Sequence, residues 1–391
     1  MESDLPLAGV RVLDLSAVIM GPWATHQLAL MGARVWKVEA PAGDTMRFAD
    51  DCGHPGMAPI FRHSNRGKLS VVLDLKRPEG RAACLKLAAR ADILVHNIRP
   101  AAAARLGLDW ASVSAANPGI VLAALTGFGS DGPHGGRPAY DDLIQGACGL
   151  AALFDPPRYV PALVADRHVG QAAATAILAA LVQARATGRG RAIEVPMFET
   201  MAELVLADHL NGHSFEPPAG PTGYSRITSA NRRPYATADG HVCLIVYTDR
   251  QWERFFAAAG ESERFRSDPA LATAEARRAD YDRVYGVVAE IVARHPTAFW
   301  LDVGAREDIP VMPLATVESL KADPHLAATG VMQQAPHGER FLAGAVRWGA
   351  ARAKPGPAPR LGEHTHAVLA EAGLSDAEIA ALLASGAAVA G

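Results

Sequence analysis

The stretch Val10-Arg-Val-Leu-Asp-Leu15, followed by Gly21-Pro22 and then by Gly32-Ala-Arg-Val-Trp-Lys-Val-Glu39, decides the fold class of this 391-residue chain. Val10–Leu15 is apolar, with β-branched residues at two positions, and reads as a strand. Gly21-Pro22 opens a helix, because proline is tolerated in a first turn whose N–H groups have no helical partner. The helix runs to about Met31 and Gly32 closes it. Arg34–Glu39 is a second strand. The alternation then repeats. Leu69–Leu75 is a third strand, Pro78 opens a helix from Glu79 to about Arg90, and Asp92–Asn97 and Ile120–Thr126 are the fourth and fifth strands. Strands separated by helices of this length require right-handed crossovers and a parallel sheet. The expected class is α/β, with a doubly wound parallel sheet.

Outward from that core the chain is less regular. Between Glu39 and Leu69 lies a polar stretch rich in Gly, Asp, His and Arg, longer than an ordinary connection and expected to be functional or disordered. Val169–Ala186 is Ala- and Leu-rich on nearly all faces, as a buried helix is, and Thr187-Gly-Arg-Gly190 ends it before a sixth strand, Ala192–Val195. The character changes after about Asn211. Glu216–Gly223 is a Pro/Gly linker, and Asp239-Gly240 turns a hairpin into a strand at His241–Tyr247. Gln251–Ala259, Arg278–Ala293 and Pro296–Gly304 read as helices of a smaller α+β unit. The chain ends in a helix pair, His364–Ala372 and Ser375–Ser385, the second with the capping-box pattern Ser-Asp-Ala-Glu. The expected domains are 1–205, a linker at 206–224, a small domain at 225–325, and a linker and return over 326–391.

Composition narrows the function. Lys plus Arg is 38 against 41 Asp plus Glu, a net charge of −3, which removes the main argument for a nucleic-acid partner. Cys52, Cys84, Cys148 and Cys243 are scattered without a C-x-x-C pair, so they read as small hydrophobes in a reducing compartment, with no metal site. The most apolar run, Ala172–Val182, is well short of the ~20 residues of a membrane span, and the acidic N-terminus lacks a secretory h-region. A cytoplasmic protein is expected.

The usual nucleotide motifs fail. The first β-α turn, Ser16-Ala-Val-Ile-Met-Gly-Pro22, has one glycine where a dinucleotide fingerprint needs three, so Glu39 reads as a solvated or salt-bridged strand end. Gly127-Phe-Gly-Ser-Asp-Gly132 matches G-x-G-x-x-G, but Pro133–Pro138 follows it instead of a helix. This loop is either a tight turn or a set of free N–H groups, at Gly127 and Gly129, able to stabilise an oxyanion. There is no P-loop, no G-x-S-x-G and no H-E-x-x-H.

A series of phrases remains. It comprises Pro6–Leu15, Gly21-Pro22, Gly32–Glu39, Asn65-Arg-Gly-Lys-Leu-Ser70, Leu73-Asp-Leu-Lys-Arg-Pro-Glu-Gly80 and Ala91-Asp-Ile-Leu-Val-His-Asn97 with Arg105-Leu-Gly107. Thr126-Gly-Phe-Gly129, Arg137-Pro-Ala-Tyr-Asp141, Asp166, Thr187–Gly190 and Pro359-Arg-Leu-Gly-Glu-His-Thr365 follow. In this order and spacing they resemble the family III CoA-transferases, the CaiB/BaiF family, across nearly the whole chain. The family includes formyl-CoA and carnitine CoA-transferases and α-methylacyl-CoA racemase.

The resemblance implies a Rossmann-like large domain built from both ends of the chain, an inserted small α+β domain, and two chains interlocked as a homodimer. It implies acyl-CoA and a carboxylic acid as substrates, with no tightly bound cofactor and no nucleic-acid or membrane partner. Asp166 matches the family's nucleophilic aspartate, which carries CoA as a covalent aspartyl thioester. Locally, an Asp before Arg167–Ala186 is also an ordinary helix N-cap, and the helix dipole there favours the ionised form. Arg105 matches an arginine that meets the CoA phosphate. Asn97, Ile98 and Arg99 match the loop lining CoA, Leu73–Lys76 a further contact segment, and Arg137–Tyr140 the border of the thioester end. The racemase branch uses a His-Asp pair where this chain has Tyr140-Asp141, and a tyrosine with a pKa of ~10 is a poor base. Transferase is therefore the leading reading, with a racemase or a non-catalytic CoA-binding protein as alternatives. Ala40 stands where the family often has arginine. Ile19 stands where formyl-CoA transferase has glutamine, and Thr222–Asn231 lacks its glycine-rich loop, so formate and oxalate are not the expected substrates.

Overall fold

A computed structural model gives the structure and describes residues 4–336, 338–349 and 351–391. The chain divides into two compact units, Met1–Val205 with Thr329–Gly391, and Leu206–Ala328.

In the first unit, β1 (Arg11–Asp14), α1 (Met20–Leu30) and β2 (Arg34–Glu39) form the opening crossover. They are followed by α2 (Pro59–Asn65), β3 (Lys68–Leu73), α3 (Pro78–Ala88), β4 (Ile93–His96), α4 (Pro100–Leu106) and α5 (Trp110–Ala116). Next come β5 (Val121–Thr126), α6 (Asp141–Ala147), α7 (Val164–Thr187), β6 (Arg191–Pro196) and α8 (Met197–His209). Among the described residues the sheet runs Ala388–Val389, β3, β2, β1, β4, β5, β6. All six N-terminal strands are parallel, and Ala388–Val389 adds antiparallel to β3. That short strand, absent from the sequence reading, ties the C-terminal tail to this sheet.

Side-chain alternation builds two cores. Val12, Val35, Ile93, Val95 and Ala123 face α1 and α7, whereas Leu13, Trp36, Leu94 and Leu122 face α3, α5 and the C-terminal helices Thr365–Glu371 and Asp376–Ala384. Both faces are covered, as a parallel sheet requires. The Ser375 capping box is formed as read.

The structure refines several expectations. The polar stretch after Glu39 is ordered locally, with a 3-10 turn at Thr45–Phe48 capped by Asp44, and then α2. The helix expected from Arg167 starts at Val164, so Asp166 is not its N-cap; Leu163 is, with no side-chain cap. That helix is also 24 residues, long and apolar enough by length and composition to cross a membrane, but its face from Ala165 to Ala184 is buried in the core. Of the cysteines, Cys84 and Cys148 are buried as small hydrophobes should be, whereas Cys52 and Cys243 are exposed.

In the second unit, β7 (Tyr235–Ala236), β8 (His241–Leu244) and β9 (Val311–Pro313) form an antiparallel sheet. Residues 206–224, read as a linker, contain the end of α8 and a 3-10 turn at Asn211–Ser214. Phe255, Phe256 and Trp300 fill the core with Val288 and Ile291.

Candidate active site

The strand order reverses between β1 and β4, with β2 and β3 on one side and β5 and β6 on the other. In open α/β sheets the crevice beyond the carboxyl ends at that reversal is where ligands bind. Two loops leave it, Ser16–Ile19 after β1 and Asn97–Arg99 after β4. Asn97 joins them, because its amide accepts from the Ala17 N–H (3.0 Å) and donates to the Ala17 carbonyl (2.8 Å).

Asp166 lies in the first turn of α7 and is 9% exposed. Its backbone N–H is one of the orphan donors of a helix start, and Asp141 of α6 accepts it at 2.9 Å. Gln145, four residues on, donates to the other Asp141 oxygen and accepts from the Val160 N–H at 2.9 Å. A carboxylate from another helix thus caps α7. On the other side the Met20 N–H, in the first turn of α1, faces the Asp166 carboxyl. α1 and α7 meet closely because position 170 is glycine; a Cβ there would lie 2.7 Å from the Met20 carbonyl.

Burial, and then the Asp141 charge, raise the Asp166 carboxyl from its ordinary 3.8 to about 6, against the opposing pull of Arg167 and the Met20 N–H. Such a group is mostly ionised at neutral pH and is more basic than a free carboxylate, both of which suit a nucleophile. The Arg167 guanidinium lies over the Trp23 ring, 4.1 Å from its centroid.

The structure brings several expected residues to this end of the sheet. Ile98 packs on the core beneath α4, Arg99 is the N-cap of α4, and Arg105 is exposed in its last turn with no ion pair among the described residues. Arg137 and Tyr140 are exposed before α6. Gly127 is required by close approach, since a Cβ would lie 2.4 Å from that of Ala139. Leu73 is the buried last residue of β3 and Lys76 is exposed just after it, two strands from β1 along the same edge of the sheet. The loop after β5 departs from expectation. The Gly129 N–H is not free but donates to Glu199 (2.9 Å), and the Ser130 N–H donates to Glu194 (3.1 Å). Asn97 also differs from a free ligand-binding amide, because its side chain is engaged with Ala17.

Sequence reading missed a layer of buried charge beneath the crevice. Lys68 donates to Asp14 (2.9 Å), Lys37 to Asp44 (3.1 Å), and Arg47 forks onto Glu39 with both bonds at 2.7 Å. Glu39 is therefore salt-bridged, as read, but buried rather than solvated. Burial would raise Asp14, but Lys68 and Lys37 hold it at about 2. A signal was present: Lys37 sits mid-strand in Arg-Val-Trp-Lys-Val-Glu39, where a central parallel strand should be apolar.

The family model described as CoA-transferase family III matches residues 7–365. The chain belongs to CoA-transferase family III. Membership makes it an enzyme that transfers CoA, and the resemblance read from its motifs is borne out. Among relatives of this family III chain, the succinate–glutarate CoA-transferase of Agrobacterium fabrum is 31% identical, covering 94% of this chain and 95% of its own. A formyl-CoA:oxalate CoA-transferase of Escherichia coli O6:H1 is 30% identical, covering 96% and 98%. The crystal structure of a CaiB/BaiF family protein from Brucella suis aligns with a TM-score of 0.79 at 30% identity, covering 94% and 99%.

Proposed function

We propose that this family III enzyme moves CoA from an acyl-CoA donor to a carboxylic acid acceptor, with Asp166 as the covalent carrier. The observation that carries the reading is a buried carboxyl, with its ionisation raised to about 6, beside the α1 N-terminus at the crevice of the sheet. The Asp166 carboxylate attacks the donor thioester carbonyl and expels CoA thiolate, forming a mixed anhydride. The thiolate then attacks the aspartyl carbonyl and releases the donor acid, leaving an aspartyl-CoA thioester. The acceptor carboxylate attacks this thioester, giving a second anhydride and CoA thiolate. Attack of the thiolate on the acceptor carbonyl yields the new acyl-CoA and returns Asp166. Each step exchanges one acyl bond for another, so no ATP is consumed.

Arg105, Arg99 and the main chain at Asn97–Ile98 hold the CoA phosphates in this reading, with Lys76 and Arg137 at its margins. Two chains act as an interlocked homodimer in the cytoplasm. Supporting the dimer reading, the first unit is assembled from both ends of the chain, and the second unit is inserted between them in sequence. The test is mass spectrometry after incubation with an acyl-CoA and hydroxylamine. Modification of the Asp166 peptide is expected; an unmodified peptide with a donor that turns over would overturn the reading. Deuterium entering the α-carbon without CoA exchange would replace it with racemisation. Light scattering in solution should give twice the chain mass.

A further inference from the structure

The loop between β1 and α1 is gripped at three successive residues by three different side chains. The Ser16 carbonyl accepts from Lys37 Nζ at 2.9 Å. Ala17 is held on both its N–H and its carbonyl by Asn97. The Val18 N–H donates to Asp44 Oδ1 at 3.2 Å. Lys37 and Asp44, which hold the outer two positions, also bond each other, and their side chains are 0% and 1% exposed. What they hold is unusual. Val18 has a φ of 72°, a left-handed conformation that a β-branched residue adopts only under constraint. Two residues later α1 begins, and its first turn packs on the start of α7, where a Cβ at Gly170 would lie 2.7 Å from the Met20 carbonyl, so that the Met20 N–H lies on the side of the Asp166 carboxyl. Gly21 lets the first turn fold back on the loop; a Cβ there would lie 2.2 Å from that of Ser16.

A buried ion pair is a poor device for stability, because desolvation offsets much of its attraction and an apolar pair would serve as well or better. Its retention at this place points to geometry. We propose that Lys37, Asp44 and Asn97 are positioning residues that hold the strained Ser16–Val18 turn and so aim the Met20 N–H at the Asp166 carboxylate. The inference rests on Asp166 being the nucleophile. None of the three touches Asp166. The charged groups that act on Asp166 directly are Asp141 of α6 and Arg167 of its own helix.

The decisive variant is the double replacement Lys37→Met with Asp44→Leu. It removes both charges together, leaves Asp14 paired with Lys68, and changes the net charge by nothing, so no change of net charge acts on Asp166. The ionisation of Asp166 is read without substrate, by ¹³C NMR titration of labelled aspartate carboxyls, assigned by comparison with Asp166→Asn. The folded double variant should titrate about one pH unit higher, because a hydrogen bond to the ionised form is lost. Its single-turnover rate with acyl-CoA at pH 7 should fall about tenfold, with KM for acyl-CoA changed far less. Asp44→Asn keeps an acceptor for Val18 and should restore most of the wild-type midpoint. A folded double variant with wild-type midpoint and rate overturns the proposal. Should that variant not fold, Asn97→Ala decides. It is neutral, frees Ala17 alone, and should raise the midpoint; an unmoved midpoint overturns the proposal equally. Failure of the nucleophile reading is separate, since it shows as wild-type Asp166 never labelled by acyl-CoA, whatever the titrations give.

Discussion

Asp166→Asn should make the protein more stable at neutral pH while abolishing transfer. The Asp166 carboxyl is raised from 3.8 to about 6 by burial and by Asp141. The folded state therefore binds this proton more tightly than the unfolded chain does. Below about pH 4 both states are protonated and the group is neutral in its effect. As pH rises from about 4 to about 6 the unfolded chain ionises first, and folding loses stability. Above about 6 the loss is complete. The difference of 2.2 between those two values, at ~1.36 kcal/mol each, amounts to ~3 kcal/mol at pH 7.5. Asparagine has the same shape, keeps an acceptor for the Met20 N–H, and carries no charge. The variant should gain up to ~3 kcal/mol at pH 7.5, which is roughly 5–10 °C in Tm for a unit of this size. The gain should shrink towards nothing near pH 4. Urea unfolding of both proteins at pH 4.5, 6 and 7.5 measures it. Equal stability at pH 7.5, or a difference that does not change with pH, would refute the reasoning that a desolvated charge is maintained at this position.

Other consequences are simpler. Asp141→Asn removes the charge next to Asp166 but keeps an acceptor for its N–H, so the acidic limb of the rate profile should move to lower pH by about one unit. An unmoved limb would show that burial alone raises Asp166. Arg105→Ala should raise KM for acyl-CoA about tenfold with little change in kcat, because an exposed guanidinium with no ion pair among the described residues contributes binding rather than chemistry. A fall in kcat at constant KM would place Arg105 elsewhere. Gly190→Ala should destabilise the first unit by ~3 kcal/mol or more in urea unfolding, since a Cβ there would lie 1.9 Å from the Ile120 carbonyl; wild-type stability would mean this contact relaxes freely.

Legibility followed the range of the interaction. β2 was readable to the residue, Arg34–Glu39, because Val35, Trp36 and Val38, all strong strand formers, lie between the Gly32 turn and the polar stretch after Glu39, which is a local pattern. The Ser375 cap was readable because its partner Glu378 is three residues away. The start of α7 was not, because its cap comes from Asp141, 25 residues earlier. β9 was missed for the same reason: three residues, Val311–Pro313, become a strand only beside β8. The burial of Lys37 and Lys68 was not legible, because hydropathy assigns Lys to solvent, while each is enclosed with an acid from another segment.

By itself, then, the sequence determined the strand–helix alternation, the parallel sheet, the family and the position of the candidate nucleophile, all of which rest on residues close together in the chain or on ordered motifs. Only the tertiary structure decided what surrounds Asp166: the Asp141 carboxylate, the Met20 N–H and the clamped turn that presents it. It also decided that the Gly129 N–H is already engaged and that Asn97 serves the loop beside it. The physical reason is that periodicity and capping act over a few residues, whereas ionisation and hydrogen-bond availability depend on distances and burial set by segments far apart in the chain.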